Sequence, residues 1–407
     1  MVNLNRLYSD RAGKMRKSEI RELLKVTQDP EIISFAGGLP NPKSFPIKDL
    51  EGVVISVLEN HGRVALQYGT TQGLRELREA VTERAHKDGI ETTADDVIIT
   101  SGSQQALDTV GKVFLNPGDT ALVGSPSYLG GINAFRSYEA NLTGIPLDKD
   151  GMNIDVLEEK IKELLKNDIL PKFIYVIPTF QNPAGVVMPE SRRKKLIDVA
   201  NEYDLIVVED DPYEKLRFDI PPVKPVKAFD DEGRVVYMST FSKILSPGFR
   251  LAWTIANEEL TRKMIICKQA LDLCTNTFTQ FIANEFIRSG SLDLHIMKIC
   301  EMYKPKRDIM ISAMEKYFPD GYICNKPMGG MFAWVTLPEG IDTETMFLDA
   351  IKEKVAYVHG KAFHVDGGGG RSMRLNFSYS SNDQIEEGIK RLGTVIKRKL
   401  ETRKAVL

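Results

Sequence analysis

Histidine and cysteine are scarce in this chain, with five of the first and four of the second among 407 residues. Cys267, Cys274, Cys300 and Cys324 show no CxxC spacing, so a thiolate zinc site is not expected. Buried or idle thiols suit a reducing compartment, and the cytoplasm is the expected location. No apolar run approaches the roughly 20 residues that a membrane-spanning helix requires. The opening stretch, MVNLNRLYSDRAGKMRKSEIRELLK, lacks the apolar core of a secretory signal. It is basic and amphipathic, as a transit peptide would be, but its acidic residues argue against that reading. A charge excess is missing too. Lys and Arg number 54 against 56 Asp and Glu, a formal net charge of −2 spread along the chain, which argues against a nucleic-acid binder.

What the chain does have is a regular alternation. Short β-branched runs, DVIIT (96–100), TALVGS, KFIYVIP (172–178), LIVVED (205–210), VVYMS (235–239) and LAWTIA (251–256), are separated by amphipathic helical patterns such as QQALDTVGKVF. One such helix is expected at about 190–203. Alternation of this kind predicts an α/β sheet, largely parallel and covered on both faces. A long helical stretch over about 258–316 then leads into GGMFAWVTLP, YVHGKAF, MRLNFSY and a closing helix, the pattern of a smaller α+β part. Residues 1–45 are too short to fold alone and are expected to pack against it.

In open α/β sheets, binding sites lie at the carboxyl ends of the strands. After VIIT comes SGSQQ, small residues opening a helix, where free N–H groups make either an anion site or a plain helix cap. TALVGS delivers Tyr128, a ring able to stack on a flat ligand or simply to pack. IYVIP delivers Asn182 in TFQNPAG, in a turn where asparagine is commonly structural. LIVVED runs into DPY, setting Glu209, Asp210 and Asp211 before Tyr213 at the site end of an apolar strand, where buried charge needs a partner. VVYMS delivers STFSKILSPGFR, with Lys243 among hydroxyl residues and Arg250 behind it. Each feature alone is weak. Together they place an anion cradle, an aromatic ring, an amide, a carboxylate, a phenol and an amine on successive strand ends. A flat, phosphorylated pyridine bearing an aldehyde, pyridoxal 5′-phosphate (PLP), would use all of them.

At this point the sequence resembles the fold-type-I PLP-dependent aminotransferases, and more closely the subgroup that contains 2-aminoadipate and kynurenine aminotransferases. Eight blocks carry the resemblance in family order over essentially the whole chain: FAGGLPNP, LQYGTTQGLRELREAV, SGSQQALD, FQNPAG, VEDDPY, STFSKILSPGFRLAW, PMGGMFAW and MRLNFSYSS. It implies a large PLP-binding domain over 46–305, with a mainly parallel seven-stranded sheet between helices. A smaller α+β domain would combine 1–45 with 306–407.

The resemblance also implies roles. Lys243 would be the Schiff-base lysine and proton carrier, and Asp210 the partner of the pyridinium nitrogen. Asn182 and Tyr213 would bind the phenolic oxygen, and Tyr128 would stack on the ring. Ser103, Gln104, Thr240, Ser242 and Arg250 would hold the phosphate, the last through its planar fork. Arg374 would clamp the substrate α-carboxylate beside Gly38 and Asn182. Ser18 would cap an N-terminal helix on which Arg21 reads a distal carboxylate. Tyr68 would reach the partner subunit's phosphate, which implies a homodimer with shared active sites. Thr240 stands where many relatives carry serine, and Phe249 where leucine is usual; neither alters the chemistry. The expected activity is ping-pong transfer of an amino group from an L-amino acid to a 2-oxo acid such as 2-oxoglutarate. The rivals are a PLP-dependent lyase on the same scaffold and an aminotransferase-like transcription regulator. The second expects a DNA-binding domain ahead of the FAGGLPNP block, which begins at residue 35.

Overall fold

A computed structural model describes residues 4–15 and 29–404. The chain enters its first sheet at β1 (Ile33–Ser34). The large sheet follows, from β2 (Val97–Thr100) and β3 (Thr120–Ser125) through β4 (Asn141–Asp148), β5 (Gly151–Met152) and β6 (Pro171–Val176). It is completed by β7 (Ile206–Asp210), β8 (Val235–Thr240) and β9 (Ala252–Ile255), in the order β2-β9-β8-β7-β6-β3-β4-β5. Strands β8, β7, β6, β3 and β4 run parallel, and β9 is antiparallel to both of its neighbours. The seven long strands are the expected sheet. The two-residue β5 extends it by a hairpin with β4.

Each buried strand sends alternate side chains to opposite faces, so two separate cores form. On one face Val208, Val236, Met238, Phe173 and Tyr175 meet the helices Ser103–Phe114, Leu129–Arg136 and Glu258–Asp272. On the other, Ile174, Val207 and Val235 meet Ile154–Lys166 and Glu190–Glu202. The second of these helices is the one expected at about 190–203. The single helical stretch expected over 258–316 is instead three helices, Glu258–Asp272, Thr277–Arg288 and Ser291–Tyr317. The breaks have local causes. Leu273 and Gly290 adopt positive φ, and the Asn276 side chain caps the second helix by accepting from Thr279 N–H.

The smaller sheet is antiparallel, formed by β10 (Ile323–Cys324), β11 (Phe332–Thr336), β13 (Val358–His359) and β14 (Ser372–Asn376) in the order β10-β11-β14-β13. Strand β12 (Val355–Ala356) pairs in parallel with β1, which joins the N-terminal segment to this part of the chain. The expected boundary at 305–306 falls inside the continuous helix Ser291–Tyr317, at Pro305. No helix among the described residues is long and apolar enough to cross a membrane.

Candidate active site

The carboxyl ends of β7 and β8 open into a cavity of about 510 Å³. Its walls include Gly38, Ser103, Gln104, Tyr128 and Asn182, with Asp210, Tyr213, Thr240, Ser242, Lys243, Arg250 and Arg374. Thirteen of the fifteen expected catalytic, cofactor or substrate residues lie among the described residues, and twelve of them line this one space. Tyr68 does not. It is 79% exposed and lies beside Asn276 and Thr277 in a separate groove. Ser18 and Arg21 lie outside the described residues.

The floor is built by strand ends. Asp210, the last residue of β7, is buried, and its Oδ2 accepts a 2.7 Å hydrogen bond from the Tyr175 hydroxyl. Its Oδ1 is buried with no partner. Burial raises the Asp210 pKa to about 6, against the opposing pull of the Tyr175 donor. From the turn after β8, Lys243 Nζ donates to the Gly38 carbonyl at 3.0 Å. Burial, then the positive charges of Arg374 and Arg250, lower its pKa from 10.5 to about 8. An amine so placed is partly neutral near pH 7, as a proton carrier needs.

One end of the cavity is suited to an anion. Gly102, at φ +79°, turns the chain into the helix Ser103–Phe114, and a Cβ there would lie 2.2 Å from Arg250 Nη2. Glycine is thus required for the arginine to pack against the helix start. Arg250 itself adopts left-handed backbone angles, φ 52° and ψ 47°, a conformation that branched side chains avoid and that tends to mark functional positions. The Thr240 hydroxyl accepts from Ser242 N–H at 3.0 Å, which fixes the two hydroxyls beside one another. Ser103 Oγ, buried, has no partner.

The smaller sheet contributes Arg374, from β14, to the cavity wall. Its guanidinium carbon lies 4.2 Å from the ring centre of Phe332 and 4.9 Å from that of Phe363. This aromatic sandwich holds a desolvated cation. Nη1 donates to Asn182 Oδ1 at 2.9 Å and Nη2 to the Ala36 carbonyl at 2.8 Å, while Nε is buried without a partner. Burial brings its pKa down only to about 10, so it stays charged at neutral pH. Asn182 Nδ2 also donates to the Tyr213 hydroxyl at 3.2 Å, linking the clamp to the floor.

Three cations, Lys243, Arg250 and Arg374, thus face one carboxylate, Asp210. Such a cavity suits a ligand carrying a phosphate and a carboxylate. The partnerless Asp210 Oδ1, Ser103 Oγ and Arg374 Nε sit where a ring nitrogen, a phosphate and a carboxylate could take them up. By this donor set the residues fit PLP. Among the described residues no cluster of three or more His, Cys, Asp or Glu could hold a metal.

Two contributions were not anticipated. Tyr175 reads as one more apolar strand residue in KFIYVIP. Phe332 and Phe363 lie far apart in sequence, and nothing in either stretch signals that they enclose one arginine.

The sequence matches the family model for aminotransferase class I and II over residues 46–392. It is 51% identical over 401 residues to aromatic-amino-acid aminotransferase 1 of Thermococcus litoralis, covering 98% of this chain and 96% of the relative. It is 39% identical over 389 residues to 2-aminoadipate transaminase of Thermus thermophilus, covering 95% of each chain. The crystal structure of a Pyrococcus horikoshii kynurenine aminotransferase with PMP superposes with a TM-score of 0.95 at 51% identity, covering 98% of each chain. The cofactor read from the donor set is the one this family employs, and the chain belongs to the class I and II aminotransferases.

Proposed function

We propose that the chain moves the amino group of an L-amino acid to a 2-oxo acid such as 2-oxoglutarate. The donors would be 2-aminoadipate, glutamate, and aromatic or branched-chain amino acids. The observation that carries the reading is the cavity's charge pattern: a desolvated amine, a buried arginine held against two aromatic rings, and a carboxylate with one unpaired oxygen line the same space. The names of the relatives, which span aromatic substrates, 2-aminoadipate and kynurenine, support a broad donor range.

PLP, when bound, supplies an aldehyde that takes up the donor's amino group and a ring that draws electron density away from Cα. The residues divide the remaining work. Ser103, Gln104, Thr240, Ser242 and Arg250 hold the phosphate, and Tyr128 covers the ring. Asp210 keeps the proton on the ring nitrogen. Asn182 and Tyr213 donate to the phenolic oxygen. Arg374 fixes the donor's α-carboxylate near Gly38, which aims the Cα–H bond at Lys243. Lys243 Nζ, with its lowered pKa, would accept and hold that proton.

The same proposal has two working parts, residues 46–305 for the cofactor floor and 1–45 with 306–407 for the clamp. It also includes a homodimer in the cytoplasm. Helix Ile47–Ala65 and the turn after it expose Ile47, Ile55, Leu58, Val64 and Leu66, an apolar surface suited to a second copy. Tyr68 follows on that surface, where it could reach a neighbouring active site.

The test is a donor panel with 2-oxoglutarate, run on the parent chain and on Arg21→Ala. Turnover with both acidic and aromatic donors is expected, with Arg21→Ala losing activity selectively toward glutamate and 2-aminoadipate. No turnover with any donor would overturn the reading. Equal losses across all donors would overturn the role of Arg21.

A further inference from the structure

Tyr175 does not line the cavity, yet among the described residues it makes the only hydrogen bond that the Asp210 carboxylate receives. It sits on β6, where Tyr175 lies opposite Val208 of β7, so its side chain shares a sheet face with Val208 and Asp210. The ring is fully buried and packs edge-on against Phe135 at 5.3 Å. Gly131 leaves room for it, since a Cβ there would meet the ring and hydroxyl at 2.9–3.0 Å. Burial next to Asp210 pushes the phenol pKa well up, so the hydroxyl stays protonated and can only donate to the carboxylate.

We propose that Tyr175 is a positioning residue for Asp210: its hydroxyl occupies Oδ2 and leaves Oδ1 as the one oxygen available to the cofactor's ring nitrogen. This rests on the reading of Asp210 given above. A buried carboxylate and a pyridine compete for one proton, and in a dry site the neutral pair gains on the ion pair. A donor on Oδ2 stabilises the ionised carboxylate. The proton therefore remains on the ring. Without that donor, Oδ2 is left buried and unpaired, and the carboxyl becomes the better base.

The experiment is ¹⁵N NMR of the full-length protein reconstituted with ring-¹⁵N-labelled PLP, together with the cofactor dissociation constant. Tyr175→Phe, which removes one oxygen from an otherwise filled site, is compared with Asp210→Asn. Gly131→Ala, which crowds the ring without touching the carboxyl, is the second variant. Asp210→Asn is expected to shift the nitrogen resonance to the unprotonated position. If it does not, the reading of Asp210 fails. Given that shift, Tyr175→Phe is expected to move the resonance part of the same way and to weaken cofactor binding about tenfold. Gly131→Ala should move it in the same direction by less. A Tyr175→Phe protein with the parent's ring resonance and cofactor affinity overturns the proposal, whatever its melting temperature. So does a resonance that moves in Tyr175→Phe only when the near-ultraviolet spectrum shows lost packing.

Discussion

Glu209 and Asp210 are neighbours on β7, both carboxylates and both fully buried, yet the two faces of the sheet treat them in opposite ways. Glu209 shares its face with Val207, among the helices Ile154–Lys166 and Glu190–Glu202. Its two oxygens accept from Val226 N–H at 2.7 Å and Lys227 N–H at 2.8 Å, with Arg193 supplying positive charge nearby. Arg193 in turn ties down the loop ahead of its helix, donating to the carbonyls of Met188 and Pro178 and to the Thr179 hydroxyl. Both oxygens of Glu209 are thus paired. Asp210 shares its face with Val208, has one donor, and keeps one oxygen unpaired beside the cavity. A buried polar atom without a partner costs about 1–3 kcal/mol. Glu209 avoids that cost and Asp210 carries it, at the one of the two positions that lines the cavity.

The largest effect expected on the front face is at the amine. Lys243→Ala should lower transamination more than about a thousandfold, because the proton at Cα loses its carrier. Assay at saturating cofactor checks this, and activity within tenfold of the parent contradicts it.

The two carboxylates make a crossed pair. Asp210→Asn should cost roughly 100- to 1000-fold in kcat/KM while leaving the melting temperature of the cofactor-free protein unchanged or raised. Glu209→Gln should do the reverse. Its amide nitrogen would face one of the two N–H donors that the carboxylate now accepts from, a loss of about 1–3 kcal/mol of stability, with kcat/KM of the folded protein within a few-fold of the parent. Thermal melts and steady-state kinetics on both variants measure the crossing. Parallel effects in the two would erase the distinction between the faces.

The smallest effect is in the pH dependence of reconstitution. A lysine whose pKa falls from 10.5 to about 8 is neutral over a range where an ordinary lysine is protonated. Covalent capture of the aldehyde by cofactor-free protein should accelerate as pH rises through about 8 and then level off. A carboxyl raised to about 6 takes up a proton as pH falls through that value, so cofactor affinity should drop below it. A capture rate still climbing toward 10.5 would show that Lys243 is not desolvated.

Much of this was legible in the sequence. The strand runs at 96–100, 205–210 and 235–239 fall on β2, β7 and β8, and the residues after them line one cavity. Wholly apolar strands announce themselves, and their ends carry the chemistry. Three things were hidden for physical reasons. Alternation alone hides which of the three adjacent carboxylates, Glu209, Asp210 and Asp211, faces the site, because that depends on what packs against each face, and only the resemblance named Asp210. Tyr175 acts across a strand pair, a contact set by register rather than by local pattern. The breaks at Leu273 and Gly290 depend on positive φ, and leucine gives no warning of it.

This cavity is assembled around one amine, Lys243. Borohydride reduction of the PLP-loaded protein, followed by peptide mass spectrometry, tests it directly. A pyridoxyl phosphate group is expected on Lys243 at close to one per chain and on no other lysine. Stoichiometric modification elsewhere, or none at all, would contradict it.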